Sequence, residues 1–131
     1  MTQKDKELLL KDLCARLTYG VKIQINDKIE TVEGINILDN IVEFGTYMAC
    51  DIEEVKPYLF PMSSITIEQE KELSKLGVSY GEYALHDDIQ GLGIMVDDAY
   101  IFFEFCYKNH IDFLGLIQMG LALDATGLNI Y

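Results

Sequence analysis

His86, Asp87 and Asp88 are consecutive, and the pair Asp97–Asp98 follows a short way on, so imidazole and carboxylate groups cluster in one part of the chain. Together they could ligate a metal ion or activate water, which makes His86, Asp87 and Asp88 candidate metal ligands and the nearby carboxylates candidate hydrolase machinery. The spacing matches no zinc pattern and lacks the glycine of a calcium-binding helix-loop-helix. Asp97 or Asp98 is also needed to cap a helix. The reading preferred from sequence is a solvated loop, with no metal and no cofactor.

Cys106 and His110 stand four residues apart, a spacing that brings thiol and imidazole together on one helix face. No third group orients them, and Cys106 falls in an apolar stripe that would raise its pKa, away from a nucleophilic thiolate. His110, just past the helix end, has a simpler expected role as a cation facing the negative pole of the helix. Gly91–Met95, "GLGIM", resembles a phosphate loop only faintly, because no Lys or Arg lies between Lys75 and Lys108. The chain contains no GxSxG and no HExxH, and Ser63 and Ser64 have no neighbouring base. These absences point away from an enzyme.

Recognition is better supplied than reaction. The chain has eight tyrosines, which combine apolar area with a polar tip. Tyr58, Phe60 and Met62 alternate along a proline-bracketed segment and share one face if it is extended. They are the candidate partner-binding residues, with packing onto the core as the competing role.

The elements that must position these groups follow from bulk composition and periodicity. At 131 residues, half hydrophobic, the chain has the size of a single acidic α+β domain spanning 1–131 with one core. Residues 1–30 hold six basic and five acidic residues (+1), so residues 31–131, with four and seventeen, carry −13 in a chain of net charge −12. A phosphate backbone needs clustered cations, and Arg16 is the only arginine. Direct nucleic-acid binding and membrane association are therefore not expected. A protein partner or a small ligand is; the acidity serves solubility in the simpler reading, and in the sharper one the acidic surface meets a basic protein or imitates nucleic acid. The charged N-terminus and three widely spaced cysteines predict a cytoplasmic protein with reduced thiols.

Residues 3–18 read as an amphipathic helix with Leu9, Leu13, Cys14 and Leu17 on its apolar stripe, Thr2 as N-cap, a Glu7–Lys11 pair and Gly20 beyond its end. The period then becomes two. "VKIQIND", "IETVEGINIL" with a bulge at Gly34, and "IVEFGTYMAC" predict a three-stranded antiparallel meander over residues 21–50. "DIEEVKPYLFPMSSIT" contains Pro57 and Pro61, which predict a connector at a sheet edge. Thr66 and Gln69 form a capping box for a surface helix docked by Ile67, Leu73 and Leu76. Residues 78–95 fit a strand or a loop. Ile101, Phe102, Phe105 and Cys106 then predict the central core helix, and residues 110–131 a set of turns that closes the core. The fold class is α+β, a small antiparallel sheet of three to four strands packed against two or three helices.

The blocks "LLLKDLCARLTYGVKIQI", "DIEEVKPYLFPMSSIT" and "NHIDFLGLIQMGLALDAT" cover about half the chain. They resemble a family of small uncharacterised proteins recurrent in gut Bacteroidales genomes and in their phages and mobile elements. The chain departs from that pattern at Thr18 and Gln118, where relatives carry proline. The resemblance implies an accessory role in a bacterial cell or its virus and transfers no catalytic or ligand residues. The functional expectation is a non-enzymatic binding module engaging a host protein or small ligand through an acidic, tyrosine-containing surface. A hydrolase near His86 and a structural homo-oligomer are the alternatives.

Overall fold

The computed structural model describes residues 1–76 and 96–131, with the side chains of 96–98 outside the description. Its elements in chain order are α1 (Gln3–Arg16), β1 (Lys22–Ile25), β2 (Lys28–Asn36), β3 (Ile41–Phe44), β4 (Met48–Asp51), β5 (Lys56–Pro61), α2 (Ile67–Lys75), α3 (Val96–Lys108), β6 (Ile111–Asp112) and β7 (Leu123–Asp124). Short 3₁₀ turns occupy Leu17–Tyr19, Ile52–Glu54 and Met62–Ser64. The fold is α+β, but its sheet is larger than predicted and mixed in direction. Seven strands are arranged β4-β3-β2-β1-β5-β6, with β7 also paired to β5. No helix among the described residues is long and apolar enough to cross a membrane.

Two corrections explain the extra strands. The segment predicted as one third strand is a hairpin, because Gly45 and Tyr47 both take positive φ, +55° and +61°, and turn β3 back into β4. The proline-bracketed segment is an internal strand. β5 pairs antiparallel with β1 (Ile23 opposite Pro57) and parallel with both β6 and β7. Its prolines stand near its ends, and the residues between them bond to the C-terminal segment: Phe60 N–H donates to His110 C=O and Ala125 N–H to Leu59 C=O, each at 2.8 Å. The bulge expected at Gly34 is present, as a register shift between Val32 and Gly34.

Thr2 caps α1 as predicted, accepting from Asp5 N–H at 3.1 Å, and Gly20 follows the helix at φ +71°. α1 lays Leu9, Leu10 and Leu13 on the core face of β1, β2 and β3, where Val21, Ile23, Val32 and Val42 are almost wholly buried. A second cluster gathers Phe102, Phe105 and Cys106 of α3 with Leu73 and Ile111. α3 thus centres this smaller cluster, while α1 and the sheet hold the larger one. α2 carries its capping box, Thr66 Oγ accepting from Gln69 N–H at 3.1 Å, but docks by Leu73 alone, since Ile67 and Leu76 are exposed. Residues 113–131 cross the core as turns that bury Leu116, Leu121, Ala122 and Ala125.

A candidate binding cleft beside Tyr131

The two clusters meet at a buried cation. Arg16 is fully enclosed and uses three nitrogens: Nε donates to Asp12 Oδ2 at 2.9 Å, Nη1 to Cys106 C=O at 3.1 Å and Nη2 to Ile111 C=O at 2.7 Å. Tyr107 lays its ring 5.3 Å from the guanidinium carbon. Arg16 therefore takes the role expected of His110, the cation at the carbonyl end of α3. Burial raises the pKa of Asp12 against the opposing pull of Arg16, and Asp12 Oδ1 has no hydrogen-bond partner. Asp112 is buried too, its two oxygens accepting Leu116 N–H and Ile117 N–H at 2.9 Å each. That grip starts the closing turns of the chain.

His110 follows α3 with a left-handed backbone, φ +58°, and is 6% exposed. Burial, then the fields of Arg16 and Lys22, lower its pKa to about 4 against a weaker hydrogen bond to the Tyr19 backbone. The imidazole is neutral at pH 7, and among the described residues Nδ1 has no hydrogen-bond partner. Tyr131 stacks on it, ring centroids 3.7 Å apart and planes within 14°, and Phe60 tilts against Tyr131 at 5.8 Å. The Tyr131 hydroxyl donates to Tyr58 C=O at 2.7 Å and accepts Lys22 N–H at 2.8 Å, bridging β1 and β5. Enclosure pushes the phenol up to about 12.

These rings border an open cleft of about 640 Å³. Phe60 comes from β5, Gln69 from the first turn of α2, Lys108 and Asn109 from the end of α3, and Tyr19 from the turn after α1. In a chain with 22 carboxylates, no Asp or Glu side chain lines this cleft among the described residues. Glu104, on α3, accepts from the Tyr19 hydroxyl at 3.1 Å. The arrangement offers flat apolar faces, amide groups from Gln69 and Asn109, and a single cation in Lys108.

The predicted recognition residues divide. Phe60 is half-buried and lines the cleft, Tyr58 is buried at 7% exposure, and Met62 leaves the strand in a 3₁₀ turn and packs on the α3 cluster. Their shared face ends at Pro61. His86, Asp87, Asp88 and residues 78–95 lie outside the described residues, and among the described ones no group of three or more His, Cys, Asp or Glu could hold a metal. α3 begins at Val96, which puts Asp97 and Asp98 inside its first turn. Cys106 is buried and its thiol pushed up to about 12, chiefly by burial.

Sequence reasoning passed over Asp12, Arg16, Asp112 and Tyr131. One signal was available, since the only arginine stands four residues after an aspartate on a predicted helix. No family model matches the chain, and neither a curated protein nor a solved structure matches it.

Proposed function

We propose that this protein is a non-enzymatic binding module that takes a small, uncharged ligand with a flat face into the cleft between Phe60, Tyr131 and the end of α3. The observation that carries this reading is the ring-walled lining, which among the described residues holds no Asp or Glu side chain in an otherwise strongly acidic chain. Aromatic walls with a few polar groups suit small-molecule recognition. The side chains best suited to chemistry nearby are tuned away from it, with the Cys106 thiol near 12 and the His110 imidazole near 4. An accessory role in a bacterial cell or its virus is consistent with such a module. Mass spectrometry of small molecules released from the purified protein tests the reading, together with thermal-shift titration against uncharged aromatic compounds. A ligand whose shift disappears in Phe60→Ala is expected, and a shift that survives this replacement would place binding elsewhere.

A further inference from the structure

At the other side of the sheet, with β3, β2 and β1 between it and β5, strand β4 ends the hydrogen-bonded order. Ile52 N–H donates to Asn40 C=O at 2.9 Å, continuing the register in which Ile41 faces Asp51 and Glu43 faces Ala49. Bonded and non-bonded pairs alternate along an antiparallel ladder, so the mutual β3–β4 bonds fall at Val42/Cys50 and Phe44/Met48. The N–H and C=O of Ala49 and Asp51 therefore point away from β3; Asp51 N–H donates to Glu54 Oε2 at 3.1 Å, which leaves both groups of Ala49 and the C=O of Asp51 without a backbone partner among the described residues.

Natural edge strands are blocked by lysine, proline or a bulge. β4, Met48–Asp51, is protected by its shortness and by Asp51 but carries no lysine or proline, and the bulge seen among the described residues lies between β2 and β3. Tyr47 is fully exposed beside it and Met48 is 55% exposed. From Ile29 to Val55 the chain carries seven carboxylates and no Lys or Arg, and the one ion pair made there among the described residues joins Glu53 to Lys6 of α1 at 3.0 Å. The register puts Glu43, Ala49 and Asp51 on one face of the hairpin and Met48 and Cys50 on the other.

We propose that the free edge of β4 is a docking strand for an extended, basic segment of a protein partner. Main-chain bonds to Ala49 and Asp51 would add a strand to the sheet. Side chains alternating between cationic and apolar would meet Asp51 on one face and Met48 on the other. A second copy of this chain is the wrong occupant, because edge-to-edge pairing would oppose two rows of carboxylates.

The probe is a capped peptide of alternating lysine and valine, compared by fluorescence anisotropy on the full chain with a glutamate–valine peptide of equal length. The basic peptide is expected to bind and to weaken about tenfold as salt rises from about 0.05 to 0.3 M, while the acidic one does not bind. Ala49→Pro removes an outward N–H without touching a β3–β4 bond and is expected to weaken binding about tenfold or more. Asp51→Asn removes the charge while its side-chain oxygen can still accept Glu53 N–H, and is expected to weaken the basic peptide about threefold. Equal binding of both peptides, or unchanged binding of the basic peptide to Asp51→Asn, would overturn the proposal. So would a dimer in sedimentation that Ala49→Pro dissolves. Phe60→Ala should leave peptide binding as it was, which separates this edge from the cleft.

Discussion

Arg16 Nε lies 2.9 Å from Asp12 Oδ2 one helical turn away, and both side chains are wholly shielded from solvent. The same guanidinium closes two carbonyls from the other half of the molecule, Cys106 and Ile111. Arg16→Met strands one carboxylate and two carbonyls, and is expected to cost about 3–5 kcal/mol in urea denaturation. Arg16→Lys should rescue little, because an ammonium cannot span the three directions that the planar fork serves. Adding Asp12→Leu to Arg16→Met should recover a good part of the loss, since an apolar pair leaves one fewer unpaired group.

His110 makes stability depend on pH. Its folded pKa of about 4 lies below the ordinary 6.5, so between these values the unfolded chain binds a proton that the folded chain refuses. Its contribution is complete above about pH 6.5 and is lost as pH falls toward 4, amounting to about 3 kcal/mol over the window. Asp12, whose pKa is raised, acts in the opposite sense, its carboxylate costing stability above the ordinary carboxylate range and less on protonation. The comparison that isolates His110 is therefore wild type against His110→Asn, since asparagine tolerates the left-handed backbone. Denaturation series from about pH 4 to 7 should show a flatter slope for the variant.

The Tyr131 hydroxyl completes a join between β1 and β5 that the backbone leaves open. Tyr131→Phe keeps the stack on His110 but removes the bonds to Lys22 N–H and Tyr58 C=O, a cost of about 0.5–1.5 kcal/mol. Hydrogen exchange at the Lys22 amide should speed up.

Tyr58 and Phe60 should separate stability from recognition. Tyr58→Ala empties a buried position and is expected to cost about 3–5 kcal/mol in thermal or urea unfolding. Phe60→Ala, half-buried at the cleft, should cost less and abolish ligand-induced thermal shifts. Equal destabilisation by the two would mean that both rings serve packing alone.

Ending the chain before Gly115 removes Leu116, Leu121, Ala122 and Ala125 from the core and β7 from β5. Such a truncation is expected to lose cooperative unfolding in circular dichroism. The single change Leu116→Ala should cost about 2–5 kcal/mol.

Where local pattern decides structure, the sequence was readable. The Thr2 and Thr66 caps, the left-handed Gly20, the alternation of Val21, Ile23 and Ile25 and the bulge before Gly34 all follow from rules that act within a few residues. β5 was misplaced because proline argues for an edge, and only residues 50 or more positions downstream supply the partners that put it inside. The hairpin at Gly45–Tyr47 was missed because Tyr47 enters a conformation its side chain disfavours. In the candidate site, Phe60 was legible as part of an aromatic alternation, whereas Arg16, His110 and Tyr131 gain their roles from contacts across 90 residues or more, or from burial that pairing alone permits. Asp12 and Arg16 belong to a helix whose amphipathic pattern would leave its charged residues in water, yet both are buried.

The pairing of β5 also has a consequence for the order in which the protein assembles during synthesis. β1, β2, β3 and β4 join neighbours in sequence, so the ribosome releases that half of the sheet ready to close on itself and on α1. The far side of β5 waits for Ile111 and Leu123, and its join to β1 for Tyr131. Until those residues emerge, β5 presents bare main chain to the cell. The distant return that finishes the sheet is thus also the step at which the nascent chain is most open to misassembly.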